Sequence, residues 1–369
     1  MHYEFCISLL SLVTGLLLTG CQTGHTGNAA PSGDTLALGY AKGLSMVTYD
    51  GYTEVKLRNP WDTTLVLAHY CLFEQGSTAP QTQATPIPVP IKNAGVLGSI
   101  YCQLLRELQA DEAICGVCDL KFCPLHFIKE RVAKGVVEDF GSSMNPNLER
   151  LVAAHPEALL LSPLEGDICP GYVSRMNIPV IYCADYMEDS PLARAEWIRF
   201  YGRLFGKAAE ADSIFDAVAC EYQGLKALAA RTSHRPCLLP EMPWNGQWML
   251  PAAGSTSARL YADAGAKYLF SDREGTGSIP LATEHVVERG AEADIWLIRH
   301  NGSLSRRQMV ADTPLLSVIE APIWWCDTSL SLVYEETTFH PELLLENLIA
   351  VLHLELNMTS RKSYFTPLP

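Results

Sequence analysis

Two glutamates in this chain recur in the same surroundings. Leu148–Leu161, LERLVAAHPEALLL, can be laid over Thr283–Trp296, TEHVVERGAEADIW. Glu149 then falls on Glu284, Leu151–Val152 on Val286–Val287, Glu157–Ala158 on Glu292–Ala293, and Leu160 on Ile295. Each glutamate opens a short amphipathic helix, where the helix dipole keeps a carboxylate ionised. An ionised carboxylate is a planar pair of acceptors matched to an arginine fork, so the chemistry is recognition. The other reactive cluster is Cys115-x-x-Cys118 with Cys123. A closed metal site needs four ligands, and no second Cys-x-x-Cys or His-x-x-x-His supplies the rest. These thiols read as structural, or as disulfide partners in an exported protein. No Gly-x-Ser-x-Gly elbow, His-Glu-x-x-His or Gly-rich phosphate loop is present, which removes the commonest enzyme signatures.

Both glutamate helices run through a turn into an apolar strand. Upstream of each lies a second echo: Gly98-Ser99 with Leu104, Glu107 and Ala110, then Gly254-Ser255 with Leu260, Asp263 and Ala266. Strands alternate with helices from Ala94 to Cys183 and again from Pro236 onward, which predicts parallel sheets with helices on their faces. Asn145 is the expected cap of the first glutamate helix, with Pro146 at its first position. Leu44–Ile91 reads as edge strands with irregular connections, and Thr85–Pro90, TPIPVP, suits only a sheet edge. Between the two halves, Trp197, Tyr201, Leu204 and Ala208 share a helical face, as do Ile214, Val218, Tyr222 and Leu225. This stretch is expected to be a stiff connector, either one helix bent near residues 202–206 or two in series.

The 369 residues are 48% apolar, enough for two cores, and a net charge of −14 argues against a nucleic-acid partner. Phe5–Leu18 is apolar but short for a bilayer span, and it ends at Leu18-Thr19-Gly20-Cys21. That pattern resembles a bacterial lipoprotein signal, with Cys21 as the lipidated residue, although no positive charge precedes it. The expected organisation is a signal over 1–20, a flexible tether over 21–43, an α/β lobe over 44–189, a helical connector over 190–231, and a second α/β lobe over 232–369.

From about Ala94 to His353 the chain resembles the periplasmic substrate-binding proteins of ABC importers for ferric siderophores, haem and cobalamin. The resemblance is carried by Asn147-Leu148-Glu149-Arg150 with Pro156-Glu157, by the Gly254-Ser255 helix within Leu238–Phe270, by Thr283-Glu284-His285-Val286, and by Phe339-His340-Pro341-Glu342-Leu343-Leu344. It implies two Rossmann-like α/β lobes bridged by a long rigid helix, with the ligand in a cleft between them. It also implies that Glu149 and Glu284 dock onto arginines of the permease subunits.

Cleft positions follow from strand ends and helix starts. They nominate Tyr101, Asp119, Ser142, Ser143, Met144 and Glu165 from the first lobe. The second lobe offers Trp244, Trp248, Arg299, His300 and Tyr334, with Trp324 and Trp325 set behind them. Aromatic walls with a few polar groups suit a large, flat, partly apolar ligand. No resident cofactor is expected, since the iron or cobalt belongs to the carried ligand. Haem would need an axial group such as Tyr101, His300 or His340. A siderophore or cobalamin brings its own metal ligands, and iron complexes rank ahead of cobalamin. The resulting expectation is a non-enzymatic lipoprotein, anchored by lipid alone in the periplasm, that hands a metal chelate to a permease. A stand-alone haem or corrinoid scavenger and an exported enzyme on the same fold are the alternatives.

Overall fold

The computed structural model describes residues 33–166, 171, 173 and 176–368. The chain from Gly33 onward forms one compact unit. It begins with a sheet of five strands in sequential order, β1 (Asp34–Thr35), β2 (Leu44–Tyr49), β3 (Tyr52–Arg58), β4 (Val66–Glu74) and β5 (Thr85–Val89). All neighbours are antiparallel except β5, which lies parallel to β4 at the edge, where its prolines cost no central hydrogen bonds. Alternation buries Leu44 and Met46 of β2, Val55 and Leu57 of β3, and Tyr70 and Leu72 of β4 on one face. A coherent sheet therefore replaces the expected irregular edge strands.

The first α/β lobe follows. Its strands are β6 (Ala94–Val96), β7 (Ile114–Val117) and β8 (Glu138–Asp139), then, beyond a hairpin of β9 (Gly141–Ser142) and β10 (Asn145–Pro146), β11 (Ala158–Leu161) and β12 (Val180–Tyr182). The sheet order is β12-β11-β6-β7-β8, and every pairing is parallel. All four residues of β11, ALLL, are buried, with Ala158 and Leu160 on one face and Leu159 and Leu161 on the other. A strand covered on both faces has no polar side to expose. The helices are α1 (Ser99–Glu107), α2 (His126–Ala133) and α3 (Leu148–Ala153). Asn147 caps α3 by accepting from the Arg150 N–H at 3.0 Å, whereas Asn145 and Pro146 pair back with the β9 strand. The cap thus sits two residues later than the sequence suggested.

The connector is three helices, α4 (Pro191–Glu196), α5 (Ile198–Leu204) and α6 (Ala208–Ala229). It is not helices in series, because α5 folds back against α6. A Cβ on Gly202 would stand 2.4 Å from that of Ala211, so glycine permits the close approach. Arg199 and Arg203 then reach Asp212 at 2.8 and 3.1 Å across the turn. The 22 residues of α6 are the long helix of the molecule, and they pack against the closing helix of the second lobe.

That lobe holds β13 (Cys237–Pro240), β14 (Gln247–Pro251), α7 (Thr256–Asp263), β15 (Lys267–Tyr268), β16 (Ser278–Ala282), α8 (Thr283–Gly290), β17 (Ile295–His300), α9 (Arg306–Asp312), β18 (Ile323–Asp327), α10 (Val333–Thr337), α11 (Pro341–Leu352) and β19 (Thr366–Pro367). Its sheet runs β15-β13-β17-β18-β19, parallel apart from β19, and β14 with β16 forms a separate antiparallel ribbon.

The expected tether is shorter than 21–43. Asp34 and Thr35 pair with Thr48 and Val47, and five successive backbone N–H groups beyond them are held by two buried carboxylates. Gly39, Tyr40 and Ala41 donate to Glu196 at 2.8, 2.8 and 2.7 Å, and Lys42 and Gly43 donate to Glu188 at 3.1 and 2.8 Å. Carboxylates that satisfy consecutive main-chain donors make a fixed strap. Residues 1–32, with Cys21, lie outside the described residues.

Candidate functional site

A cleft of about 570 Å³ opens where the strand ends of the two lobes meet. The first lobe contributes the turn after β12, Tyr186 to Asp189, and Arg194 of α4. From the second come Glu241, Met242 and Trp244 after β13, Met249 of β14, the start of α7, Arg299 at the end of β17, and Tyr334 of α10. Thr256 donates to the Glu188 carbonyl at 2.7 Å, which joins the lobes at the cleft floor.

Each lobe offers one arginine to this space, and each arginine already has a carboxylate. In the first lobe Arg194 Nε donates to Asp185 Oδ2 at 3.1 Å. Asp185 is fully buried, and its other oxygen accepts from the hydroxyls of Tyr101 and Tyr201, both at 2.8 Å. In the second, Arg299 donates to Glu241 through Nε at 2.8 Å and also through Nη2. Burial works against the Arg299 charge, but the Glu241 carboxylate outweighs it and holds the guanidinium above its ordinary pKa. The Arg299 guanidinium lies 5.8 Å from the Tyr334 ring centroid. Outside the lining Lys42 pairs with Asp189 at 2.6 Å, while Glu188 is spent on main-chain N–H groups and on Trp197 Nε1 at 2.8 Å. Two cationic side chains, Arg194 and Arg299, thus line the cleft with three carboxylates, Glu188, Asp189 and Glu241, and Lys42 and Asp185 behind them add one charge of each sign, so the cleft is close to neutral. Its apolar walls are thioether and aromatic, from Met187, Met242, Met249, Tyr186, Trp244 and Tyr334, and Ser257, Thr276 and Ser278 add hydroxyls.

The sequence-nominated residues divide sharply. Trp244, Arg299 and Tyr334 line the cleft, and Trp244 is 78% exposed there. Trp248 does not: its ring is fully buried, tilted against Trp296 at 5.7 Å, with its N–H on the Pro240 carbonyl at 3.0 Å. It alternates with Gln247 and Met249 along β14, which turns it inward. Tyr101 lies beneath the site, 3% exposed with its hydroxyl on Asp185, and burial pushes its phenol far above the ordinary pKa. It orders Asp185 and so, at one remove, Arg194.

Asp119, Ser142, Ser143 and Met144 form a separate group at the end of β7 and on the β9–β10 hairpin, where Asp119 Oδ1 accepts from the Ser143 N–H at 3.2 Å. Neither this group nor the exposed Glu165 belongs to the cleft lining. His300 also stays outside it, with Nδ1 3.1 Å from the Gly302 carbonyl. His340 is clasped between Glu107 of α1 and Glu342 of α11, and these hydrogen bonds override burial to push its pKa up to about 10. An imidazolium so engaged is no axial ligand. Trp324 and Trp325 pair with β17 and β19 inside the sheet.

Arg194, Asp185, Glu241 and the three methionines went unnoticed in the sequence. Arg194 sat in a stretch read only as connector. Glu241 carries a left-handed φ of 62° just after a strand, a site where a non-glycine residue signals a constraint. Among the described residues, no three His, Cys, Asp or Glu side chains converge on a metal position. The nine described cysteines are free thiols, and burial raises Cys115 and Cys118 to about 11 and about 12.

Glu149 and Glu284 both occupy the first turn of their helices, α3 and α8, and both are exposed. Each helix feeds the N-terminal end of a parallel strand, β11 or β17, through a short turn. Each glutamate therefore lies toward the strand ends that open on the cleft.

The chain belongs to the periplasmic binding protein family, whose model matches residues 128–322. An uncharacterized lipoprotein of Methanocaldococcus jannaschii is 28% identical over 222 residues, 58% of this chain, and the chain spans only 53% of that relative. The fold is similar to that of a petrobactin-binding protein of Bacillus subtilis (TM-score 0.57, 13% identity, covering 80% of this chain and 98% of that one). It is equally similar to a periplasmic heme binding protein of Pseudomonas aeruginosa (TM-score 0.57, 14% identity, 76% and 98% covered). The protein is a member of that binding-protein family, with two α/β lobes and a long helix. Among the described residues no helix is long and apolar enough to cross a membrane.

Proposed function

We propose that this protein captures a pre-formed, near-neutral, oxygen-rich metal chelate in its cleft, with an iron complex of the hydroxamate-siderophore kind as the first choice, and delivers it to an ABC permease. The observation that carries this reading is the pairing of both cleft arginines with carboxylates of the protein itself. Paired guanidiniums still offer N–H donors to ligand oxygens, but they add little net charge for a multiply charged anion to exploit. Methionine and aromatic walls suit the organic periphery of such a ligand. Haem fits less well, because its two propionates would meet arginines already paired, although Tyr186, Tyr334 and the lining methionines offer axial groups. Cobalamin is the second reading, since it too carries its own coordination shell and little charge.

Delivery rests on Glu149 and Glu284 as the two acidic knobs that meet permease arginines, and attachment rests on Cys21. The test is a titration of the protein with a neutral ferric hydroxamate, an anionic ferric catecholate, haem and cobalamin, followed by quenching of tryptophan fluorescence. The neutral chelates are expected to bind tightest. Tightest binding by haem, with a visible spectrum showing axial coordination by the protein, would overturn the reading.

A further inference from the structure

The repeat that relates the two knobs also shows that they are not equivalent. In the overlay, Leu148 corresponds to Thr283 and Val152 to Val287. In the second lobe these positions are covered: Thr283 is 3% exposed and Val287 is 6% exposed. There α8 packs against β14, β16 and the 3-10 turn at Pro314–Val318, so the protein hides that helix face itself. In the first lobe α3 packs chiefly on β8, and nothing among the described residues fills the same role. Leu148 is 40% exposed and Val152 51%, and at i and i+4 they share one helix face. Met144, at the tip of the hairpin leading into α3, is 74% exposed. Glu149 stands beside this strip without an ion-pair partner among the described residues. Helix α8 itself exposes only acids, Glu284 and Glu288, again at i and i+4, while the turn that covers it exposes Leu315 at 44% and Val318 at 53%.

We infer that the first knob docks through the apolar face of α3 and its hairpin, Met144, Leu148 and Val152, as well as through Glu149, whereas α8 of the second docks through its acids. The occupant of the first is a periplasmic segment of the permease that carries an apolar side chain next to an arginine. Two features indicate that chemistry: the carboxylate lacks a cation, and the equivalent face in the second lobe is closed by the protein's own chain. This inference rests on the docking role proposed for Glu149 and Glu284. Its consequence is a division of labour, in which the apolar contact resists salt and the acidic contact is weakened by it.

The experiment uses the full chain in its own cells, with a photoreactive side chain at the exposed position 153 and, separately, at the exposed and uncharged position 282 beside Glu284. Crosslinked partners are identified by mass spectrometry in cells washed at low and high salt. The expected result is an ABC permease subunit at both positions. Met144→Ser with Leu148→Ser and Val152→Ser is expected to lower the yield at 153 by on the order of tenfold at either salt. High salt alone is expected to lower the yield at 282. Exposed serines leave the fold intact, which an unchanged melting temperature verifies. If the triple variant keeps the wild-type yield while Glu149→Arg with Glu284→Arg abolishes it, the apolar contact is refuted and acidic docking stands. If no permease is captured at either position, the docking reading itself falls, and this inference with it.

Discussion

Glu241→Gln is the sharpest probe of the cleft, because it removes a charge while keeping the side chain's shape. Glu241 and Arg299 are 20% and 25% exposed, between the buried and surface regimes. Loss of the pair is therefore expected to cost about 1–2 kcal/mol of stability, between the values for exposed and buried pairs. The larger effect concerns selectivity. With the carboxylate gone, Arg299 presents an uncompensated positive charge to the ligand. For a ligand charge about 8 Å away and an effective dielectric constant of about 20–40, each negative charge gains about 1–2 kcal/mol. That is about fivefold to thirtyfold in Kd per ligand charge. A neutral ferric hydroxamate should bind within about threefold of wild type, whereas a multiply anionic ferric catecholate should tighten far more at low salt and less in added salt. Trp244, exposed on the cleft wall, reports both titrations by fluorescence. An unchanged ratio of the two affinities, or a wild-type protein that already prefers the anion, refutes the argument that paired arginines set the ligand's charge.

Glu149→Arg combined with Glu284→Arg should abolish uptake while ligand affinity stays near wild type, checked by transport and titration on the same variant; a stand-alone scavenger would not respond. Trp248→Ala should cost about 3–5 kcal/mol by calorimetry, as expected for an emptied core, whereas Trp244→Ala should leave the melting temperature near wild type and weaken ligand binding. His340 joins α1 to α11, and its pKa is raised above the unfolded value of 6.5 to about 10. Its stabilising contribution is therefore complete below about pH 6.5 and lost as the pH rises toward 10, and His340→Gln should flatten that decline in a pH series of denaturant melts. Glu196→Ala deprives three strap N–H groups of their acceptor, so proteolysis near residues 39–41 should accelerate.

Periodicity and the glutamate repeat were sufficient, without coordinates, to specify two parallel α/β lobes, and they put Glu149 and Glu284 at the starts of equivalent helices. These are local properties: an apolar run of four residues or an acid in a first helical turn carries its meaning within a few neighbours. Strand ends also placed Trp244, Arg299 and Tyr334 at the cleft without a structure. Which side chains point into the cleft was a tertiary decision. Trp244 and Trp248 flank the same turn, yet Trp244 precedes β14 and stays exposed, whereas the pleat of β14 turns Trp248 into the core. Asp185, just before the expected connector, and Arg194, within it, looked like ordinary residues until folding set Asp185 on Tyr101, more than eighty positions upstream, and Arg194 on Asp185. The net charge of the cleft could not be read in advance, because it depends on which carboxylate each cation finds: Arg299 reaches Glu241 across 58 positions and Lys42 reaches Asp189 across 147, and even Asp185, nine positions before Arg194, is aimed by Tyr101 and Tyr201.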